Sequence, residues 1–489
     1  MGSVPEAPAV SVPEAPAVSV PEAPAVSVPE APVTAVPDTL ALAEFVADLS
    51  YEDLPAEVTA KVGALVLDFL GAAVGGSTTP EVVALVDLIR WRGGTPEATV
   101  LAAGFSAPVA DAAFCTGVAA DVLEHQDGYR FGGFHPSHTL PALFAVAEHV
   151  DADLRSLLTA AAASYEVANR IGRAVHPSAT RAGWFPIAAS FGAAAGCAKL
   201  LGLPAARIAD AIGAASFFAP AVLIESIFVA PSAKPAFAGQ IARAGVEGAL
   251  AAAAGLTGWR EVVEHPRGLV SVLGGTPVTD TTATALGVEW TVLDVHQKRW
   301  AGCRHTHGAA QAALELAVEH DLDPDRVTAV DVETYDIALL LVDRPVDDRP
   351  TTVACTLSLP YTVGAALTDR ALGGDQYATE RREDPRVLRV ADLVRLRPAA
   401  DLEARYPEFT ATRVTITTDD GRSLTRLVDV PAGDSRAPLS TDDLVAKFGG
   451  YVGPAFDTDT ADRVATALLA QPADLPVRVL TGLLAVTRT

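Results

Sequence analysis

The chain has 489 residues, half of them hydrophobic and 20% charged, enough to bury a large core divided among roughly two to four domains. Lys plus Arg number 36 against 60 Asp plus Glu, a formal net charge of -24. Such a surface repels nucleic acid and anionic membranes, so an anionic substrate needs basic side chains gathered locally in a cleft. Aromatic residues are few and Ala and Leu plentiful, which favours helix. Cys115, Cys197, Cys303 and Cys355 are scattered, with no CxxC or zinc spacing, and read as free thiols of a cytoplasmic protein. The N-terminus has no basic region followed by an apolar core, so no secretory signal is read there. Ala-rich stretches such as 186–203 carry glycines and Lys199 and read as buried helices rather than membrane spans.

Residues 3–34 repeat SVPEAPAV and run on as SVPEAPVT. Closely spaced proline without large apolar residues cannot form a core, so residues 1–37 read as an extended, polyproline-II-like disordered tail. Folding starts near Asp38, where Asp38 or Thr39 caps a helix running to Leu49. Residues 55–75 predict a second helix, followed by helices at 80–92, 107–123, 139–149, 153–174, 186–201, 204–217 and 238–254, joined by short Gly/Pro/Ser turns. This succession predicts an all-α domain over 38–293. Beyond about residue 290 the texture changes. Val327–Tyr335 alternates as VTAVDVETY and Arg413–Thr418 as RVTITT, the latter turning through DDGR into SLTRLVDV as a hairpin. With helices at 307–320, 353–368 and 384–395, residues 294–430 predict a smaller α+β domain. Ser440–Phe448 and Thr458–Leu469 return to helix, so residues 431–489 are expected to dock back on the first domain.

The densest chemistry lies between Phe114 and Ala147, where Glu124, His125, Asp127, His135 and His138 stand among Tyr129, Phe131, Phe134 and glycines. Titratable groups on a Gly-rich turn between helices suit acid–base catalysis, and a surface loop is the plainer alternative. No P-loop and no Rossmann glycine fingerprint follows a strand, and His305 and His307 lack further ligands at metal-site spacing. No metal is therefore proposed.

Segments spread along the chain carry a resemblance to a known family. They are LALAEFVADLSYEDLPAEV, LVLDFLGAAVGG, AAFCTGVAADVLEHQD, HPSHTLPALFAVAE, SYEVANRIG, AAGCAKLLGL, SAKPAFAGQIARAGVEGALAAAAGLTG, KRWAGCRHTHGAAQAALEL, LSLPYTVGAAL, DDGRSLTR and LVAKFGG. Together, over roughly residues 39–450, the chain resembles the MmgE/PrpD family of 2-methylcitrate dehydratases and cis-aconitate decarboxylases. The resemblance implies a helical domain formed by both chain ends, an inserted α+β lid domain, a homodimer, a site in the cleft between domains, and no metal or organic cofactor.

It also singles out residues. His135 matches the histidine of the family's HPS motif, and on its short turn it suits an acid or base near neutral pH. Lys234 matches a family lysine; in its apolar setting the ammonium needs an anion, either a substrate carboxylate or an ion pair with Glu225. Lys298, Arg299 and Arg304 form a basic cluster beside His305 and His307. The Arg304 guanidinium suits carboxylate binding, while Lys298 and His307 match family positions. Tyr361 matches the tyrosine of the S-L-P-Y motif, a candidate proton donor or an ordinary core tyrosine.

The departures matter as much. Where the family reads HALDFDDT, residues 121–128 read DVLEHQDG. Glu124 then replaces the first aspartate, Gln126 the second and Gly128 the threonine, while Asp127 keeps the third. Phe185 stands where the decarboxylases have an active-site histidine, and Cys303 where they have another. These changes predict a pocket roomier near Gly128 and more apolar near Trp184 and Phe185, which argues against methylcitrate and cis-aconitate themselves. The reading is a cofactor-independent lyase, a dehydratase or decarboxylase of a carboxylate. His135 is its acid or base, Glu124 or Asp127 the orienting group, Lys234 and Arg304 hold carboxylate, Tyr361 donates a proton, and Lys298, His305, His307, Phe185, Cys303 and Tyr129 line the site. The alternatives are an isomerase, epimerase or cyclase for a larger, less polar substrate and, last, a non-catalytic scaffold.

Overall fold

The computed structural model describes residues 37–274 and 282–485; the Pro-rich repeat lies outside them. The molecule is mainly helical with a smaller α+β region. In the first half, helices Asp38–Asp48, Ala56–Gly76, Pro80–Arg92, Val109–Asp121, Leu140–His149, Leu154–Val175, Ala188–Leu200, Ala205–Phe218 and Ala236–Ala253 follow one another. Small residues let them pack closely. A Cβ on Gly192 would stand 2.4 Å from the Ser164 carbonyl, so only glycine lets Ala188–Leu200 lie against Leu154–Val175. The helix Leu154–Val175 starts on Asp153, whose carboxylate accepts from Ser156 N at 2.7 Å, a side-chain N-cap. Near its other end, the buried Arg170 pairs with Glu166 at 3.1 Å and donates to the carbonyls of Thr282, Thr284 and Glu289, pinning the segment that leads to His296.

Helices Thr441–Ala455 and Thr458–Ala470, near the other end of the chain, pack against Ala56–Gly76. Lys447 marks that junction, reaching Asp68 at 2.6 Å.

The strands Val394–Pro398, Val327–Thr334, Thr412–Thr418 and Ser423–Val428 form one sheet in that spatial order; the first pair is parallel and the others antiparallel. Burial alternates along Thr412–Thr418, the period-two pattern of a strand with one face covered. Helix His307–Glu319 packs against this sheet and against helix Leu359–Asp369.

Three segments differ from the sequence reading. The helix expected over 353–368 breaks into Thr352–Thr356 and Leu359–Asp369, because Ser358 caps the second piece, accepting from Tyr361 N at 3.1 Å, and Pro360 occupies its first turn. The helix expected over 384–395 stops at Ala391, and Val394–Pro398 becomes the parallel edge strand. There Val394 and Leu396 alternate with Arg395 and Arg397, a period too short to outweigh the helical run before it. Finally, Asp127–Gly128 pairs antiparallel with His296–Gln297. Two residues carry no periodic signal, yet this pairing joins the two halves of the site.

Candidate active site

The helix Val109–Asp121 delivers Asp121, fully buried, at its last turn. The chain then turns at Glu124, whose φ of 50° lies in the left-handed region uncommon for a residue with a Cβ. That turn aims the Glu124 carboxylate inward, and His125, the next residue, on a different course. Asp127 and Gly128 follow in the short pairing, then the Tyr129–Phe134 turn, closed by Tyr129 N donating to Phe134 O at 2.9 Å. His135 emerges just before the single turn of helix Pro136–Thr139.

Glu124 is the hub. One of its carboxylate oxygens accepts from Lys234, and the other accepts from Lys298 Nζ at 2.9 Å and lies 3.5 Å from His135 Nε2. Lys234 also donates to Asp121 at 2.8 Å, and Lys298 to the Glu124 carbonyl at 2.7 Å. Asp121 in turn accepts from Gln126 at 2.8 Å and stands 3.0 Å from His138 Nε2. His135 Nδ1 lies 2.6 Å from the Asp127 carbonyl. A carbonyl only accepts, so Nδ1 carries the hydrogen and a neutral ring keeps its lone pair on Nε2. The Asp127 carboxylate is occupied elsewhere, accepting from Ser137 N at 3.1 Å and Tyr165 Oη at 2.8 Å. With 17% of its side chain exposed, against 5% or less for Glu124, His138, Asp121, Lys234 and Lys298, His135 is the member of this cluster that solvent reaches.

The charges lock one another. Burial acts to raise the Glu124 carboxyl, but Lys234, Lys298 and His135 overcome it and hold it well below the usual carboxylate range. Asp121 is also held low: burial opposes ionisation, and Lys234 and His138 outweigh it. Lys234 is pushed upward, since its two carboxylates outweigh the burial that would lower it. His138 is lowered by burial and stays neutral at pH 7. Two ammoniums and two carboxylates therefore balance, and a proton taken by His135 adds one net positive charge beside any substrate.

An aromatic wall borders the cluster. His135 and His138 rings lie 5.3 Å apart, His138 and Phe237 5.3 Å, and Phe237 and Phe185 5.0 Å. Phe185 thus continues the site as an apolar face. Cys303 is buried within the field of Glu124, and burial first, then that carboxylate, push its thiol to about 11, so it remains protonated. His305 accepts from or donates to Tyr335 Oη at 2.8 Å, its ring pushed down to about 3 by burial and by Arg304. His307 begins the helix His307–Glu319 with Nε2 3.3 Å from the Gly302 carbonyl. Arg304 reaches Asp434 at 2.5 Å.

Some residues stand differently from the sequence reading. Lys234 pairs with Asp121 and Glu124, more than a hundred residues away in sequence, and not with Glu225, which faces Arg344 at 3.5 Å. The site is not roomier at Gly128: a Cβ there would meet the His296 ring at 2.5 Å, so the space a threonine side chain would take is filled by His296. Tyr129 is buried under the turn, its ring against Phe131 and Phe134. Tyr361 lies apart from the cluster. Its hydroxyl donates to the Gln376 carbonyl at 2.5 Å and its ring neighbours Tyr377.

Two residues of the site escaped the sequence reading, Asp121 and His296. Asp121 looked like the tail of a helix. His296 stands two residues before Lys298, and in an extended segment that spacing puts both side chains on one face; that was the available signal. Among the described residues, no group of three or more His, Cys, Asp or Glu side chains converges as a metal site.

Comparison with known proteins places the chain among relatives of one family. The MmgE/PrpD N-terminal domain matches residues 40–281 and the MmgE/PrpD C-terminal domain residues 300–471. A cis-aconitate decarboxylase-like protein, oryM, of Aspergillus oryzae is 25% identical over 480 residues, covering 91% of this chain and 97% of that protein. The cis-aconitate decarboxylase of Aspergillus terreus is 23% identical, covering 88% and 92%, and that of Homo sapiens 25%, covering 87% and 89%.

Proposed function

Because this chain belongs to the MmgE/PrpD family, which makes it a lyase in reaction class, we propose that it is a dehydratase or decarboxylase of a carboxylate substrate, with His135 as the group that moves the proton. The observation that carries the reading is the His135 ring, anchored through Nδ1 to the Asp127 carbonyl and presenting Nε2 beside Glu124 at 3.5 Å.

In the dehydratase sense, Nε2 takes the proton from the carbon α to a carboxylate. The electron pair left on carbon forms the double bond as the C–O bond breaks, and the leaving hydroxide takes a proton, returned from the His135 imidazolium, to depart as water. In the decarboxylase sense, the C–C bond breaks, CO₂ leaves, and a His135 imidazolium, protonated on Nε2 from solvent beforehand, gives that proton to the carbon that keeps the pair. Both routes pass through enolate-like charge. The balanced cluster gains one positive charge when His135 is protonated, and Glu124 stabilises that imidazolium. Lys234 and Lys298 act on substrate together with Glu124, since both are paired to it.

The relatives named for cis-aconitate make that compound the first to test. The Phe185–Phe237 wall favours a second reading, an isomerase, epimerase or cyclase acting on a less polar acid by the same proton transfer. Incubation with di- and tricarboxylates in deuterated water, followed by proton NMR, separates them. Loss of water or CO₂, abolished by His135→Asn, is the expected result. Deuterium in a recovered skeleton with neither lost selects the isomerase. Equal turnover by the His135→Asn chain sinks both.

A further inference from the structure

We infer that His296 is a substrate-binding residue, and that with Arg304 it forms a one-atom pocket for an oxygen of the substrate, a carboxylate or hydroxyl oxygen, beside His135. The inference rests on the reading of the His135 cluster as the reaction site.

Three observations meet at this ring. First, His296 is 95% buried by its 5% exposure, yet neither ring nitrogen has a hydrogen-bond partner among the described residues. A buried polar group left unpartnered loses its hydration without recompense, and native interiors rarely tolerate that without a ligand or water to receive it. Second, the ring is held in place and close to the chemistry. Gly128 and His296 are paired across the short antiparallel bridge, and a Cβ on Gly128 would lie 2.5 Å from both Cε1 and Nε2 of His296 and 3.5 Å from His135 Nδ1. Glycine at this position is what lets the imidazole close over the strand. Third, the ring lines a narrow cavity together with Lys298, Arg304, His307 and Asp434, roofed by the loop 431–434, with room for roughly one water-sized atom. Gly433 O accepts from Gln297 N at 2.9 Å and holds that roof down.

The chemistry of the cavity selects an oxygen acceptor. Arg304 donates to Asp434 through Nη2, and a guanidinium has five N–H groups. Lys298 has two of its three donors committed to Glu124. A neutral imidazole beside these cations supplies one N–H without adding charge, and burial, with Arg304 next, keeps it neutral. The fit is to a single oxygen in place of one water, and a bulkier apolar group is excluded by size and by the exposed polar edges.

The test uses the full chain labelled at histidine Cε1 and titrated with acetate, succinate and propane-1,2,3-tricarboxylate, each resonance assigned by substitution. The expected result is that both His135 and His296 signals move with one binding curve, and that His296→Phe weakens the best of these acids about tenfold without lowering the unfolding midpoint. Gly128→Ala, which pushes the ring aside, should weaken it as well. A shift of His135 with His296 unmoved, or unchanged affinity in the His296→Phe chain, overturns the pocket and leaves the lyase reading standing. If neither histidine responds to any of the three acids, both fall. Should both variants unfold, the two resonances of the native chain decide alone.

Discussion

Glu124 and His125 are neighbours in the chain and belong to two polar clusters that sit back to back. On the Glu124 side, Lys234, Lys298, Asp121 and His138 interlock around a carboxylate, but His135 is partly open and His296 is unpartnered. On the His125 side, Lys447 gives its three donors to Asp68 at 2.6 Å, the His125 carbonyl at 2.9 Å and the Lys298 carbonyl at 2.6 Å. Both His125 ring nitrogens are also engaged, one with Tyr451 Oη at 2.5 Å and one with the Arg299 carbonyl at 3.1 Å. That second cluster borders a cavity of about 760 Å³ lined by His125, Arg299, Lys447 and Tyr451, none of the Glu124 group among its walls. Volume alone would point to the Lys447 side and not to the proposed site. The difference lies in what is left over. The Lys447 side commits all three ammonium donors to tying chain segments together and leaves one Asp68 oxygen unpartnered. The Glu124 side leaves a whole imidazole unpartnered beside a locked charge group, the feature on which the proposed site rests.

The comparison breaks most sharply at His135. His135→Asn should lower turnover by about 10²–10⁴-fold, the usual contribution of a general acid or base, with an unfolding midpoint close to that of the native chain. Residual turnover near the native rate, measured by the same NMR assay, would make this cluster structural as well. On the clamp side the effect should appear in stability. Lys447→Met leaves the Asp68 carboxylate buried without its ammonium and should cost about 3–5 kcal/mol in urea unfolding, with acid binding by the folded fraction unchanged.

Acid should weaken both clusters together. Burial holds His125, His138, His296 and His307 below their ordinary value of 6.5, and His305 at about 3. Each ring takes up its proton in the unfolded chain before the folded one does. Their stabilisation is therefore complete above pH 6.5 and is lost as pH falls toward 3. The unfolding midpoint should drop steadily from pH 7 to pH 5, less steeply in the His305→Gln chain; a flat profile would show these rings already protonated in the fold. The smallest effect belongs to Tyr361→Phe, which removes the hydrogen bond to the Gln376 carbonyl at about 1 kcal/mol and should leave turnover untouched. A collapse of turnover there would bring Tyr361 into the chemistry, as the S-L-P-Y resemblance suggested.

Much of the fold was legible because it rests on long periodic runs. The helices of the first half and the strands Val327–Thr334, Thr412–Thr418 and Ser423–Val428 lie where apolar spacing placed them. The breaks came where a local signal competed with a longer one, at Ser358–Pro360 inside a helical run and at Val394–Pro398 behind one. In the site, His135, Glu124, Lys234 and Lys298 were legible through residue type and resemblance. Their partners were not: the local sequence offers Glu225 to Lys234, but the fold brings it Asp121 and Glu124 from more than a hundred residues away.

The sequence by itself determined the helical and strand segments, the family, and the chemical inventory of the stretch from Phe114 to Ala147, because periodicity, side-chain type and motif order are properties of the chain. The tertiary structure decided which of those groups are free. Whether a buried lysine meets an acid or none, whether Gly128 leaves a hole or admits the His296 ring, and whether a histidine ring is partnered or left without a partner depend on distances between segments far apart in the chain. Those distances are set by how the helices pack and by the two-residue pairing of Asp127–Gly128 with His296–Gln297, a contact too short to write any period into the sequence.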